Sequence, residues 1–253
     1  MLNTDLERIS GGGRSEYLSV KGFTLAEVLI TLGIIGIVAA MTLPSIIQKR
    51  NDKEAVVKLK KMYSVMENAY RLAILEHGSP DTWSDIPAET PTAFADKLEP
   101  YIKVVHRYKK SYRYNFVSVK SPVSISESPK AIFKLADGSE FVFKNSYSTG
   151  ADNAACKANA GTNLAECIWL YFDINGIDNQ PNRLGEDMFT FVLTKDGVRP
   201  VGMSGYWGFN TCRPDKSGDQ GVGYGCTAYA LVHESRDYLK CKTGNESACK
   251  LRY

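Results

Sequence analysis

Three residues near the N-terminus have types and positions that suggest a function. Gly22 and Phe23 form a junction that directly follows the charged Lys21, and Glu27 is the one charged residue between Phe23 and Ile47. That stretch, FTLAEVLITLGIIGIVAAMTLPSII, is long enough to cross a hydrocarbon core of about 30 Å as a helix. A carboxylate at the centre of a membrane helix costs about 2.5 to 3.5 kcal/mol on insertion scales, and less near its ends. We therefore expect Glu27 to have a functional role.

Six cysteines form a second group of reactive side chains, and all of them lie after residue 155. They form three sequence-adjacent pairs, one of fifteen possible connectivities: Cys156–Cys167, Cys212–Cys226 and Cys241–Cys249. Short loops favour adjacent pairing because closing them costs less entropy. We expect Cys212–Cys226 first, since the glycine-rich segment between them holds few apolar residues. Disulfides persist outside the reducing cytosol, which predicts an exported domain, whereas the alternative is buried free thiols in a cytosolic protein.

A third group places oxygen-bearing side chains around Gly176. Asp173, Asn175, Asp178 and Asp187 are spaced so that they can supply three or four oxygens to a calcium ion. The segment differs from an EF-hand because no bidentate glutamate stands at the twelfth position. The alternative is that these acids and amides favour a β-turn. We expect no required cofactor, with calcium as an open prediction.

The remaining sequence gives little support for an enzyme or a nucleic-acid-binding protein. It contains no G-x-S-x-G motif, Walker loop or His-Glu-x-x-His helix, and its three histidines lie far apart. The formal net charge is +3, and no run of five or more like charges is present. We therefore expect no catalytic residues.

The N-terminal string KGFTLAEVLI resembles the type III signal of type IV prepilins and type II secretion pseudopilins. The match covers Gly22, Phe23, the Thr-Leu pair, Glu27, the apolar run and Pro44 near its end. An ordinary cleaved signal peptide fits less well because the apolar stretch is too long and no Ala-x-Ala site follows it. A plain signal anchor would explain the apolar run but not Glu27.

The resemblance implies a sequence of events. A prepilin peptidase would cut between Gly22 and Phe23 and the new amine of Phe23 would be methylated. The protein would cross the bacterial inner membrane once, with its C-terminus extracytoplasmic, and then join other pilin or pseudopilin subunits in a pilus or periplasmic pseudopilus. Glu27 would pair with the Phe23 amine of a neighbouring subunit, because an opposite charge offsets the cost of a buried one. Charge indicates no nucleic-acid partner, although a DNA-uptake fibre stays open.

The helices and strands that position these residues can be predicted from the spacing of apolar residues along the chain. Hydrophobic period predicts a membrane helix over 23–47, an amphipathic continuation over 48–77 and a β-rich, extracytoplasmic domain over 78–253. The resemblance implies a leader over residues 1–22 and a role in assembly for the helix over 23–47. Pro44 lacks an N–H and should kink or locally melt the helix. AIFKLADGSEFVFK and MFTFVLTKDGVRPVG read as hairpins, and CIWLYFDI as a buried strand. The order of elements predicts the α+β fold class, with a long N-terminal helix packed against a C-terminal antiparallel sheet. The resemblance implies that this fold is pilin-like.

Two classes of function remain. The first is a polymerising structural subunit of a type IV pilus or a type II secretion pseudopilus. The second is a membrane-anchored extracytoplasmic binding module that never polymerises. The mature N-terminus separates them, because methylated Phe23 supports the first and an intact Met1 supports the second.

Overall fold

The computed structural model describes residues 23–83, 90–108, 114–117, 124–127, 131–145, 168–180, 182–194, 197–203, 212 and 223–241. The chain divides into two compact units, one ending at Ile47 and the other beginning at Gln48. The predicted leader, including Gly22, lies outside the described residues.

One helix dominates the N-terminal part of the chain. Helix α1 runs over Leu25–His77, and Gly78 follows it with a φ of 76°, a left-handed conformation that glycine adopts readily at the end of a helix. Of the two effects predicted for Pro44, local melting is wrong, because α1 continues through this residue, and a kink stays a prediction. A proline removes only one backbone donor, and the hydroxyls of Thr42 and Ser45 bond nearby backbone carbonyls at 2.9 Å each.

Within its described residues, the second unit combines short helices with eight strands. Its helices are α2 (Thr90–Leu98) and α3 (Cys226–His233), with 3₁₀ turns at Pro80–Thr82, Glu99–Tyr101 and Asp237–Lys240. Its strands are β1 (Val104–Tyr108), β2 (Tyr114–Val117), β3 (Ser124–Glu127), β4 (Ala131–Leu135), β5 (Glu140–Asn145), β6 (Ile168–Asp173), β7 (Met188–Thr194) and β8 (Gly197–Pro200).

The strands form one main antiparallel sheet. Its order is β1-β4-β5-β6-β7-β8, while β2 and β3 pair separately. Both predicted hairpins are present as β4–β5 and β7–β8, and the predicted buried strand is β6, in which all six residues are buried. The predicted α+β class, with a long N-terminal helix and an antiparallel sheet, is confirmed.

The core of the second unit joins one face of α1 to one face of the sheet. Leu59, Met66 and Tyr70 of α1 are fully buried in the same cluster as aromatic side chains from the strands. These aromatic residues are Phe133, Phe141, Phe143, Phe172, Phe189 and Phe191. The helical repeat of apolar residues after Ala55 therefore has the sheet as its partner.

Polar contacts fix α1 at the β7–β8 end of the sheet. The buried Tyr70 hydroxyl donates to the Thr194 carbonyl at 2.8 Å, and the Tyr63 hydroxyl donates to the Val198 carbonyl at 3.2 Å. The Glu67 carboxylate accepts from the Val198 N–H at 2.8 Å. These bonds satisfy backbone groups at the end of β7 and on the edge strand β8.

A charged contact joins α1 to the β4–β5 turn. The Lys61 ammonium lies 2.7 Å from Asp137 Oδ2, and Ser139 donates to Asp137 Oδ1 from its N–H and its hydroxyl. Burial by itself raises the pKa of Asp137, but the bonds from Lys61 and Ser139 outweigh it and lower the pKa to about 2.

Asp137 should therefore contribute to stability in a defined pH range. Because its folded pKa lies below the ordinary value, the contribution is present above about pH 4 and is lost as the pH falls towards 2. Asp137→Asn should remove about 1 to 2 kcal/mol of unfolding free energy at neutral pH, after allowance for solvent screening. It should also flatten the loss on acidification. Urea unfolding at a series of pH values measures both effects.

The matched control is Asp96→Asn, which removes an exposed acid that pairs with Arg107 at 2.5 Å. The same series of urea unfolding measurements on this control shows how the profile changes when an acid away from the β4–β5 turn is removed. An unchanged acid profile in Asp137→Asn would contradict the role given to Asp137.

Candidate functional site

The first turn of α1 holds Glu27 by a reciprocal cap. The N–H and the hydroxyl of Thr24 donate to Glu27 Oε2 at 2.7 and 2.8 Å, and the Glu27 N–H donates to Thr24 Oγ1 at 3.2 Å. Thr24 precedes the first helical residue, Leu25, so Glu27 stands at the third helical position. This is the geometry of a capping box, which satisfies backbone donors that a helix start leaves open.

The cap gives Glu27 a partner within its own chain. Both Thr24 bonds end on Oε2, and Oε1 has no hydrogen bond within the described part of the chain. Phe23, the residue before the cap, is 86% exposed. Glu27 was predicted to be functional from the sequence, but the capping role of Thr24 was not. The Thr-x-x-Glu spacing is the pattern that predicts such a cap.

The residues after the cap present apolar side chains on all sides of the helix. Leu29, Leu32, Ile34, Ile35 and Ile37 are each about 60% exposed. Within the described residues α1 is the one helix long and apolar enough to cross a membrane, by length and composition. A helix that is apolar all round belongs in lipid or among other helices.

A disulfide lies at the opposite end of the chain. Cys212 and Cys226 are bonded with a Cα–Cα separation of 4.4 Å, which confirms the pair expected first. Both are fully buried, and Cys226 begins α3. Gly185 packs so closely on this bond that a Cβ there would lie 3.1 Å from the Cys226 sulfur.

The other predicted pairs involve residues beyond the described part of the chain. Cys241 also takes part in a disulfide bond. Cys156, Cys167 and Cys249 lie outside the described residues, so the pairs Cys156–Cys167 and Cys241–Cys249 stay predictions.

The four residues expected to bind calcium are only partly brought together. Asp173 Oδ1 accepts from the N–H groups of Asn175 and Gly176 at 3.1 and 2.8 Å, and the Asn175 amide lies 3.4 Å from Asp187 Oδ2. Asp178 is exposed and lies 3.6 Å from the Lys134 ammonium.

The carboxylates of Asp173 and Asp187 accept hydrogen bonds from other groups of the same loop. Asp187 Oδ1 accepts from the Arg183 N–H at 2.5 Å. Burial, together with the nearby charges of Asp173 and Glu186, raises the pKa of Asp187 to about 7. Among the described residues no group of three or more histidine, cysteine, aspartate or glutamate side chains is placed to hold a metal. Calcium binding stays a prediction.

A polar cavity of about 340 Å³ adjoins this loop. Its lining includes Glu54, Lys58, Asp187 and Arg236. The Arg236 guanidinium lies 2.8 Å from Asp52 and also donates to the Glu186 carbonyl, so its charge is neutralised within the fold.

Comparison with known proteins gives two family matches. Residues 45–210 match the model of a family of unknown function, DUF6613. The chain belongs to this family. Residues 18–43 match the prokaryotic N-terminal methylation motif, which covers the Gly22–Phe23 junction and Glu27.

One curated relative also matches. The chain is 32% identical over 82 residues to prepilin peptidase-dependent protein D of Escherichia coli (strain K12). The alignment covers 31% of this chain and 56% of that protein, so the chain spans about half the length of its relative. No solved structure matches the chain.

These matches, together with the α+β layout, support a likeness to the type IV pilin family. Proteins of this kind are generally structural rather than enzymatic. The methylation motif and the apolar start of α1 together indicate membrane anchoring.

Peptide mapping without reduction should recover a cross-linked peptide that contains Cys212 and Cys226. Replacing both by serine should lower the unfolding free energy by about 3 kcal/mol, the value typical of a loop of this length. Urea unfolding of the whole protein in detergent measures the loss. A Cys212 that is free, or joined to another cysteine, would overturn the pairing.

Proposed function

We propose that this chain is a polymerising pilin or pseudopilin, a structural subunit of a type IV pilus or a type II secretion pseudopilus. The observation that carries the proposal is the match of residues 18–43 to the methylation motif on a helix whose apolar side chains are exposed. Such a surface needs lipid before assembly and other helices after it.

Processing comes first in this proposal. Prepilin peptidase cuts between Gly22 and Phe23 at the inner membrane, and the new amine of Phe23 is methylated. The exposed position of Phe23, just before the cap on α1, is compatible with access by an enzyme.

Assembly then depends on Glu27. Glu27 lies four residues after Phe23, or about 6 Å along the helix axis. A parallel neighbour displaced by about one turn would bring its Phe23 amine beside Glu27, where Oε1 has no hydrogen bond among the described residues. The pair would offset the cost of burying each charge among apolar helices.

The alternative function uses the same helix as a permanent anchor for an extracytoplasmic binding module. Both functions place the second unit outside the inner membrane, and disulfide bonds at Cys226 and Cys241 support export in either case. The mature N-terminus distinguishes them, because a module that is only anchored needs no new amine at Phe23.

Replacing Gly22 by a larger residue tests processing. Gly22→Leu places bulk at the junction that the peptidase must accommodate, so the unprocessed form should accumulate to most of the protein. Intact mass measurement on membrane fractions distinguishes the two forms. Normal cleavage before Phe23 in this variant would count against a prepilin.

Replacing Glu27 tests assembly. Glu27→Val should insert into the membrane at least as well as the wild type, but its entry into fibres should fall about 100-fold or more, because the neighbouring amine is left buried and unpaired. Shearing of cells followed by quantification of fibre-bound subunits measures the loss.

Glu27→Gln is the matched control for the helix cap. Glutamine can still accept from Thr24 as the third residue of a capping box, but it carries no charge. We expect it to fail in assembly as the valine variant does. Wild-type amounts of Glu27→Gln in fibres would show that the charge pair is not what drives entry.

A further inference from the structure

Three basic residues follow the apolar part of α1 directly. Lys49, Arg50 and Lys53 are exposed, and none of them has an ion pair or hydrogen bond within the described part of the chain. We call these three residues the basic collar. The first of them lies two residues after Ile47, or about 3 Å along the helix axis.

The other basic residues of this region are used within the fold. Lys58 lies 3.4 Å from the Ile174 carbonyl, Lys60 lies 2.5 Å from Glu234, and Lys61 lies 2.7 Å from Asp137. The structure therefore divides what looks in the sequence like a single solvated basic face. Only the part next to the apolar stretch remains available to an external partner.

The collar forms a positively charged patch on one side of α1. At 100° per residue its three side chains occupy an arc of about 100° on one side of α1. Asp52 does not neutralise them, because it is paired with Arg236 at 2.8 Å. The exposed Glu54 leaves the group with a net positive charge.

The position of this positive charge relative to the membrane indicates what could bind it. In the orientation that the proposed function requires, the collar lies at the outer face of the inner membrane. Membrane proteins carry an excess of lysine and arginine on the cytoplasmic side, so a free basic cluster on the outer side opposes the usual preference. Long basic side chains next to a membrane helix extend to the level of the headgroups, where anionic lipids attract them.

We propose that the basic collar binds the headgroups of anionic phospholipids while the subunit waits in the bilayer. The proposal rests on the proposed function only for the side of the membrane on which the collar lies. The partner is a lipid phosphate rather than a protein acid, because the collar adjoins a stretch that is apolar on all sides.

Lipid selectivity of the full chain tests the proposal. The protein is reconstituted in phosphatidylcholine vesicles with a minor fraction of phosphatidylglycerol and a trace of either lipid carrying a spin label. The wild type should hold labelled phosphatidylglycerol in its restricted lipid shell at least about fivefold more strongly than phosphatidylcholine, the effect of a single basic residue near an anionic surface. Added salt should reduce this preference.

The variant Lys49→Gln with Arg50→Gln and Lys53→Gln should bring the preference close to parity. The control variant carries Lys97→Gln, Lys103→Gln and Lys240→Gln, which removes the same charge from positions that do not adjoin the apolar stretch along the chain. It should keep the wild-type preference. Lys21 is present in every variant, so the difference reports on the collar.

Two outcomes would overturn the proposal: an unchanged preference in the collar variant, or an equal loss in the control. Failure of the proposed function shows in other measurements. The lipid assay uses unassembled protein, so normal fibre entry of Glu27→Val would sink polymerisation by charge pairing and leave the lipid result intact. Protease added to spheroplasts tests the side of the membrane separately.

Discussion

The apolar face of α1 between Ala55 and Ala73 has to be covered, and the second unit is built around that requirement. The main sheet places phenylalanines from β4, β5, β6 and β7 against this face. An apolar stripe on one side of a helix is stable in water only when another layer packs on it. The bonds from Tyr70 and Glu67 to β7 and β8 then set the position of the helix along the sheet.

The same helix meets a different requirement before Gln48. There its apolar side chains are exposed on all sides, so burial must come from lipid or from other subunits. A chain with such a surface is incomplete as a soluble protein. This is the physical basis on which a membrane-bound subunit is a better proposal than a free extracytoplasmic domain.

The charged residues of α1 have different partners in these two environments. Glu27 accepts hydrogen bonds from Thr24 at one of its two oxygens, and Lys58, Lys60 and Lys61 bind groups of the second unit. The collar, next to the apolar stretch, has no ion pair among the described residues. A buried or partly buried charge requires a local partner, whereas an exposed one at a membrane surface can take its partner from the lipid. The polar side chains of one helix thus divide according to what surrounds them.

The sequence by itself determined the features that depend on local order. Hydrophobic period marked α1, its end at Gly78, both hairpins and β6, because the pattern of buried and exposed residues is written along each element. The string from Lys21 to Ile30 indicated the pilin-like N-terminus, because its charged, glycine, aromatic and acidic residues stand next to one another. The capping role of Thr24 could also have been predicted from local sequence, because Thr24 and Glu27 have the Thr-x-x-Glu spacing of a capping box.

Other features were decided only by the tertiary structure. The helix continues through Pro44, with the hydroxyls of Thr42 and Ser45 bonded to backbone carbonyls nearby, and hydrophobic period does not register such bonds. Asp178 lies beside Lys134 on β4 rather than with Asp187, which is half-buried and lies within the electrostatic influence of Asp173. The division of the basic residues depends on Glu234 and Asp137, which are far away in the chain. Contacts of this kind form between residues that only folding brings together, so their pairing has no signature in local sequence.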